Sequence, residues 1–285
     1  MLGHKLAQHW AGRFEVWVTF RGSASEYQDY GFFDLSRAFS HVDASSSDTL
    51  VRAVGAVKPD TIVNCIGVIK QLPTAVDPLI SIETNSLFPH RLVNLAAAAA
   101  ARVVHISTDC VFSGSRGAYS EDDSSDAQDR YGRTKYLGEI SGPGALTLRT
   151  SIIGREIRTT SGLVEWFLSQ KGRTVKGWRR AIYSGLTTQA LARIMAEIVE
   201  RQPQLHGLYH VASEPISKYE LLCRLRDVYR LDVKIEPDDG VQIDRSLDGS
   251  RFRTATGLTV PSWADMLSEM ARDPTPYDQW RRHAS

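Results

Sequence analysis

Tyr131 and Lys135 stand four positions apart in the stretch Tyr131-Gly132-Arg133-Thr134-Lys135-Tyr136-Leu137-Gly138-Glu139. An α-helix turns once in about 3.6 residues, so on a helix both side chains leave the same face, one above the other. A phenol titrates near pH 10 and is a poor proton donor or acceptor at neutrality. A cation one turn away favours the phenolate and is expected to draw the phenol toward the range where general acid–base catalysis works. Twenty-three positions before Tyr131, the apolar run Arg102-Val103-Val104-His105-Ile106 ends on Ser107-Thr108-Asp109. At the tip of such a strand, the Thr108 hydroxyl can hydrogen-bond the substrate oxygen that gains or loses the proton. Tyr and Lys at this spacing also arise by chance, and the pair alone carries little weight. Its place after a strand ending Ser-Thr-Asp is what makes the pattern specific.

The elements that must position these groups follow a regular alternation. Met1 to Trp10 reads as a helix, and Phe14 to Phe20 as a strand ending at Arg21-Gly22. An apolar patch, Tyr30-Gly31-Phe32-Phe33, leads into Asp34-Leu35-Ser36. Ser46 to Val57 is helical, opened by residues suited to capping. Thr61-Ile62-Val63-Asn64-Cys65-Ile66-Gly67 is a buried parallel-type strand closed by Gly. A helix from about Ser81 to Ala101, the strand before Ser107, a helix from Tyr131 to Ile140 and the strand Ala145 to Arg149 continue the rhythm. Such alternation implies βαβ units and an α/β fold with a doubly wound, Rossmann-like parallel sheet. Ligands lie at the carboxyl ends of the strands of such sheets, and those ends carry Arg21, Asp34, Gly67, Ser107-Thr108 and Thr150-Ser151.

Beyond Gly154 the rhythm loosens, with helical patterns near 163–170, 187–201, 217–229 and 263–271 and a short strand at 208–211. Residues 1–154 therefore read as a nucleotide-binding domain and 155–285 mainly as a smaller substrate-facing lobe. The tail Trp280-Arg281-Arg282-His283 reads as frayed.

Composition bounds the partners. The 285 residues suffice for one large or two small domains. Apolar content of 42% and charged content of 24% are ordinary for a globular chain. A net charge of +1 without a Lys/Arg-dense run argues against nucleic acid. No apolar stretch approaches the roughly 20 residues of a membrane span, and no leader pattern is seen. The three cysteines, Cys65, Cys110 and Cys223, lack paired spacing, which argues for reduced thiols in a cytoplasmic setting. The scattered histidines offer no metal-ligand pair.

Taken together, Ser107-Thr108-Asp109-x-Val111-Phe112 with Tyr131-x-x-x-Lys135 resembles the extended short-chain dehydrogenase/reductases. More narrowly, it resembles the dTDP-4-dehydrorhamnose reductase branch. Val63-Asn64-Cys65-Ile66-Gly67, Thr84-Asn85-Ser86-Leu87-Phe88-Pro89, Leu148-Arg149-Thr150-Ser151, Gly185-Leu186-Thr187-Thr188 and Asp244-Arg245-Ser246-Leu247-Asp248 agree, so the likeness spans nearly the whole chain. It implies hydride transfer from a reduced nicotinamide to the 4-keto carbon of a nucleotide-activated deoxysugar, of the kind used in polysaccharide biosynthesis. Tyr131 would then donate the proton, Thr108 orient the keto oxygen, and Lys135 hold the nicotinamide ribose while lowering the phenol. Ser107 and Asn85 would support the cofactor, and Asp109 the substrate. The chain departs from the family at its start. Met1-Leu2-Gly3 matches only the last part of the Gly-x-x-Gly-x-x-Gly turn, without the strand and two glycines before it. Leu2 and Gly3 are then what is left of the pyrophosphate cradle, and a gap in the core is expected. A start assigned too late and a truncated form with poor nucleotide binding both account for this.

Cofactor choice turns on Arg21. A guanidinium at that strand tip suits the 2′-phosphate of NADP, and no acid stands there to favour NAD, so NADP(H) is expected over NAD(H). The same residue also reads as a solvated strand-end cation. Asp34-Leu35 resembles an adenine-contacting pair, and Cys65-Ile66-Gly67 the strand end beside the phosphates and ribose. Cys110 stands where the branch usually has Tyr, which leaves the exact sugar open. Arg179, Arg180 and Arg245 are candidates for a substrate diphosphate. Two rivals remain. One is an NAD-dependent epimerase or dehydratase, against which Asp109-Cys110 lacks a second acid. The other is a non-catalytic binding homologue resembling the regulatory β subunit of methionine adenosyltransferase. A homodimer is compatible with all three readings.

Overall fold

The alternating apolar runs form the expected parallel sheet, and the computed structural model describes residues 1–70 and 73–283. In chain order the elements are α1 (Leu2–Trp10), β1 (Val18–Thr19), β2 (Ala38–Phe39), α2 (Ser47–Val57), β3 (Thr61–Asn64), α3 (Pro78–Ile82), a π-helical turn (Glu83–Leu87) and α4 (Phe88–Ala98). There follow β4 (Arg102–Thr108), α5 (Arg130–Leu137), β5 (Ala145–Thr150), β6 (Ile152–Ile153), α6 (Leu163–Leu168), β7 (Thr174–Tyr183), β8 (Leu186–Thr187) and α7 (Thr188–Arg201). The last are β9 (Gly207–His210), β10 (Ile216–Ser217), α8 (Lys218–Tyr229), β11 (Lys234–Asp244), α9 (Ser250–Thr256), α10 (Trp263–Ala271) and α11 (Tyr277–His283).

The main sheet has the order β3-β4-β5-β9, all parallel. Every residue of β5 is buried, as a strand covered on both faces demands. Alternation along the strands divides the apolar side chains between two layers. Val103 and Ala145 pack with Phe88, Leu92 and Ala96 of α4 on one face. Val104, Leu146 and Leu148 join Leu191 and Met195 of α7, with Leu2, Leu6 and Trp10 of α1, on the other. β9 and α7 both lie beyond residue 154, so the second part of the chain supplies part of this sheet and its cover.

The strand expected over Phe14 to Phe20 pairs over only Val18–Thr19, on one side, with β2. No ladder joins this pair to β3 among the described residues. A cleft of about 150 Å³ lined by Ala7, Phe14, Val16, Val18, Phe32 and Asp34 separates α1 from β1.

Two features were not anticipated. The long pair β7–β11 carries the second lobe, and Pro237 with Gly240 and a register shift between Asp238 and Gln242 disguise β11 in the sequence. The tail expected to fray is instead helical. Trp280 meets the Tyr30 ring edge-on at 4.7 Å, and Arg281 pairs with Glu165.

Burial also sets a pH dependence. Desolvation holds His4 down at about 2, while His210, desolvated and beside Arg149, is held at about 4. A histidine kept neutral in the folded state binds its proton only on unfolding, so its contribution is full above the unfolded value near 6.5 and is lost as pH falls below it. Each of the two should cost about 2 kcal/mol at pH 5. Thermal unfolding followed between pH 7 and 5 should show a falling Tm, and His4→Gln should flatten the fall.

Candidate active site

Helix α5 is set against the strand ends by a cap and two close approaches. The Asp129 carboxylate accepts the Gly132 N–H at 2.9 Å, which starts the helix. A Cβ at Gly132 would overlap the Cys110 carbonyl oxygen, and one at Gly138 would overlap that of Asn85. Only glycine lets the helix lie this close to the segment after β4 and to the π turn. Gly132→Ala should therefore push Tyr131 away from Thr108 and cost about 1–3 kcal/mol, the range for overpacking. Denaturant unfolding combined with a turnover assay checks this, and turnover should drop even where the fold persists.

The structure brings Thr108 and Tyr131 together. Thr108 beside it draws the part-buried Tyr131 phenol down, but desolvation, followed by the Cys110 thiol, outweighs this and pushes the phenol above its ordinary value. Thr108 is itself engaged, donating to Asp109 at 3.0 Å and accepting the Cys110 N–H at 3.1 Å. Lys135 does not act on the phenol as the spacing implied. Its Nζ donates to the Ile106 carbonyl at 2.6 Å and lies 3.4 Å from His105 Nε2. Burial, opposed by Glu139 and Cys65, lowers the ammonium to about 8. The expected downward pull of Lys135 on Tyr131 is thus corrected, because the ammonium is turned onto the strand. Lys70 Nζ lies 5.6 Å from the centroid of the phenol ring and pairs with Asp129 at 2.7 Å.

The other sequence candidates divide. Asn85 bridges the rim: its carbonyl oxygen takes the Val68 N–H at 2.8 Å, and its amide donates to Val68 at 2.9 Å and to Thr134 at 3.2 Å. It fixes the loop after Gly67 against α5 from within the π turn. Ser107 donates to Glu139 at 2.6 Å and is committed there. Asp109 is buried, which raises its carboxyl against the pull of Thr108, Arg245 and Lys218. Arg245 joins this rim, donating to the Phe112 carbonyl at 2.8 Å and reaching the Cys110 sulfur at 3.7 Å. Gly3 is exposed at the start of α1 and faces Cys65, while Ile66 is exposed and donates its N–H to Asn64. Leu2 is turned into the core and cannot face a ligand with its side chain. Arg21 is 86% exposed beside Asp43 at 3.3 Å. Asp34 caps a short turn through Ser36 and lines the cleft beside α1, with Leu35 half-buried next to it. Arg179 is paired with Asp239 on the exposed part of β7–β11, with Arg180 beside it, and neither adjoins Thr108.

Sequence reasoning missed two neighbours of Asp109. Among the described residues the buried Tyr183 hydroxyl has no hydrogen-bond partner, and it feels the Asp109 charge. Lys218 lies with its Nζ 4.2 Å from the Tyr183 ring centroid, lowered by burial and held up chiefly by Asp109. The helical pattern over 217–229 was legible, but the partnership with a strand so far away in sequence was not. Among the described residues no group of His, Cys, Asp or Glu is placed to hold a metal, and no helix is long and apolar enough to cross a membrane.

A parallel α/β sheet with Thr at one strand tip and Tyr-x-x-x-Lys on the following helix defines the class: an oxidoreductase of the short-chain dehydrogenase/reductase type. More narrowly, the chain belongs to the family described as RmlD substrate binding domain, whose model matches residues 2–274. Its curated relatives include methionine adenosyltransferase 2 subunit beta of Bos taurus, 27% identical over 79% of this chain and 73% of that protein. Among solved structures, a hypothetical dTDP-4-dehydrorhamnose reductase from Sulfolobus tokodaii is 25% identical with a TM-score of 0.75, covering 91% of this chain and 92% of the other. A dTDP-4-dehydrorhamnose reductase from Bacillus anthracis, in complex with NADP, is 19% identical with a TM-score of 0.73, covering 89% and 96%. A dTDP-glucose 4,6-dehydratase from Streptomyces venezuelae, with NAD bound, is 20% identical with a TM-score of 0.77, covering 99% and 96%. The last two show the fold.

Proposed function

We propose that the protein reduces the 4-keto group of a nucleotide-activated deoxysugar with NADPH. The observation that carries this reading is the meeting of Thr108 and Tyr131 at the tip of β4, on a chain of this family. Residues 155–285 would mainly face the sugar nucleotide.

The rim fits a nicotinamide dinucleotide in its donor set. The first turn of α1 has no side-chain cap, so its N–H groups are open to an anion beside exposed Gly3 and the Cys65–Gly67 strand end. Arg21 is exposed enough to reach a ribose phosphate, and Asp34 with Leu35 would meet the adenosine end of such a ligand. When bound, the reduced nicotinamide supplies hydride. The chain's own residues do the rest. Tyr131, kept protonated by burial, gives its proton to the developing alkoxide. Thr108 orients that oxygen once its hydroxyl hydrogen turns from Asp109 to the substrate. Arg245 and Lys218 present positive charge to an anionic substrate. Lys135, on the face of α5 turned to β4, would contact the cofactor ribose.

The test is NADPH oxidation with a dTDP-4-keto-6-deoxyhexose, run in parallel with NADH. Arg21→Ala should raise the KM for NADPH about 10- to 100-fold, the value of a hydrogen bond to a charged group, and leave that for NADH unchanged. Equal use of both cofactors by the parent protein would overturn the NADP assignment.

One observation favours a second reading. The curated relatives are named as a subunit of another enzyme, which fits a binding role. On that reading, substrate turnover is absent and Tyr131 is dispensable for partner capture.

A further inference from the structure

Behind Lys135 lies a chain of buried polar groups that the proposed chemistry does not use. Ile66 donates its backbone N–H to Asn64 Oδ1 at 3.0 Å. That contact fixes the amide, because the opposite orientation would set the Asn64 NH₂ against the Ile66 N–H. Asn64 Nδ2, a donor only, therefore faces His105 Nδ1 at 3.0 Å. His105 Nδ1 must accept. A neutral imidazole that accepts at Nδ1 carries its proton on Nε2. His105 is wholly buried, with desolvation and then Lys135 holding it far below its ordinary value, so it is neutral. Its Nε2–H consequently points at Lys135 Nζ, 3.4 Å away.

An ammonium has three N–H donors and no acceptor, and a donor aimed at it is unfavourable. An uncharged amine has a lone pair that accepts this hydrogen. We propose that His105 is a positioning residue for Lys135, whose Nε2–H favours the amine, so that Lys135 exchanges a proton instead of remaining a fixed cation. Hydrogen bonding to the neutral form lowers an amine's affinity for its proton. The groups facing Lys135 are the Ile106 carbonyl and Glu139, which favour the ammonium, with Cys65, and His105, which opposes them. The inference rests on Lys135 serving the proposed site, but its test needs no turnover.

The experiment is an NMR titration of the full chain labelled with ¹³C-lysine, Lys135 being assigned through Lys135→Arg, together with ¹⁵N-histidine spectra that report the His105 tautomer. His105→Phe keeps the site buried and removes the donor, so the Lys135 midpoint should rise by about one unit, a tenfold change in proton affinity. His105→Gln, with an amide N–H able to face Lys135, should restore most of the parent value. The His105 proton should be found on Nε2. An unchanged midpoint in a folded His105→Phe protein, or a proton on Nδ1, overturns the proposal. Should His105→Phe not fold, the tautomer and the His105→Gln midpoint decide it. An inactive protein with the expected titration would count against the reductase reading alone.

Discussion

Tyr131→Phe is expected to lower kcat by about 10²- to 10⁴-fold, the usual contribution of one positioned proton donor, with NADPH affinity nearly unchanged. The change removes one oxygen and conserves the ring. The cap at Asp129 and the glycine contacts that seat α5 do not involve it. The phenol's surroundings fix the direction of its role. Burial and the neighbouring thiol raise it, so it stays protonated through neutrality and serves as the acid of a reduction. The rate of ketone reduction should therefore show no loss from phenol ionisation below about pH 10. Stopped-flow single turnover with NADPH separates this step from product release. Equal rates in Tyr131→Phe and the parent would sink the mechanism and favour the binding reading.

Much of this site was legible because its signals are local. Strand tips and helix starts announce themselves through periodicity and capping, and α5, β4, β5 and α10 lie within a residue or two of their expected bounds, except that α5 ends at Leu137 before Ile140. Thr108 and Tyr131 meet because both halves of the pattern sit on such elements. The charge logic was not legible. Spacing put Lys135 beside Tyr131, but a side chain four positions along a helix still chooses among partners, and the Ile106 carbonyl with His105 won. Lys218 and Tyr183 reach Asp109 from 109 and 74 positions away in the chain, a closeness created by the β7–β11 lobe that no local pattern encodes. The Leu2 side chain is turned away from the rim for a similar reason, since α1 directs that face into the core shared with α7.

The second large effect concerns stability, and it comes from a pair beneath the site. The Glu139 carboxylate takes Arg149 through two hydrogen bonds of 2.7 Å and the Ser107 hydroxyl at 2.6 Å. Only 3% of the Arg149 side chain and 10% of that of Glu139 are exposed. Arg149 has little else to satisfy it: His210 Nε2 at 3.3 Å and the Phe112 ring at 5.1 Å. Glu139→Ala leaves a guanidinium buried without its counter-charge, which costs about 3–5 kcal/mol. Against a total stability of about 5–15 kcal/mol, that brings the protein close to unfolding at ambient temperature. Urea denaturation should show the midpoint falling at constant slope. Replacing both partners, Glu139→Leu with Arg149→Met, removes the charges together and should recover most of the loss, because the attraction in the pair does little more than offset its desolvation. The recovered protein then isolates what the pair does besides. Glu139 follows the C-terminus of α5 and grips the residue before Thr108, so it ties the helix carrying Tyr131 to the strand carrying Thr108. The double variant should fold yet turn over more slowly than the parent, with kcat affected more than KM. Full activity in that variant would show that the pair serves stability alone and that the glycine contacts suffice to align the two hydroxyls.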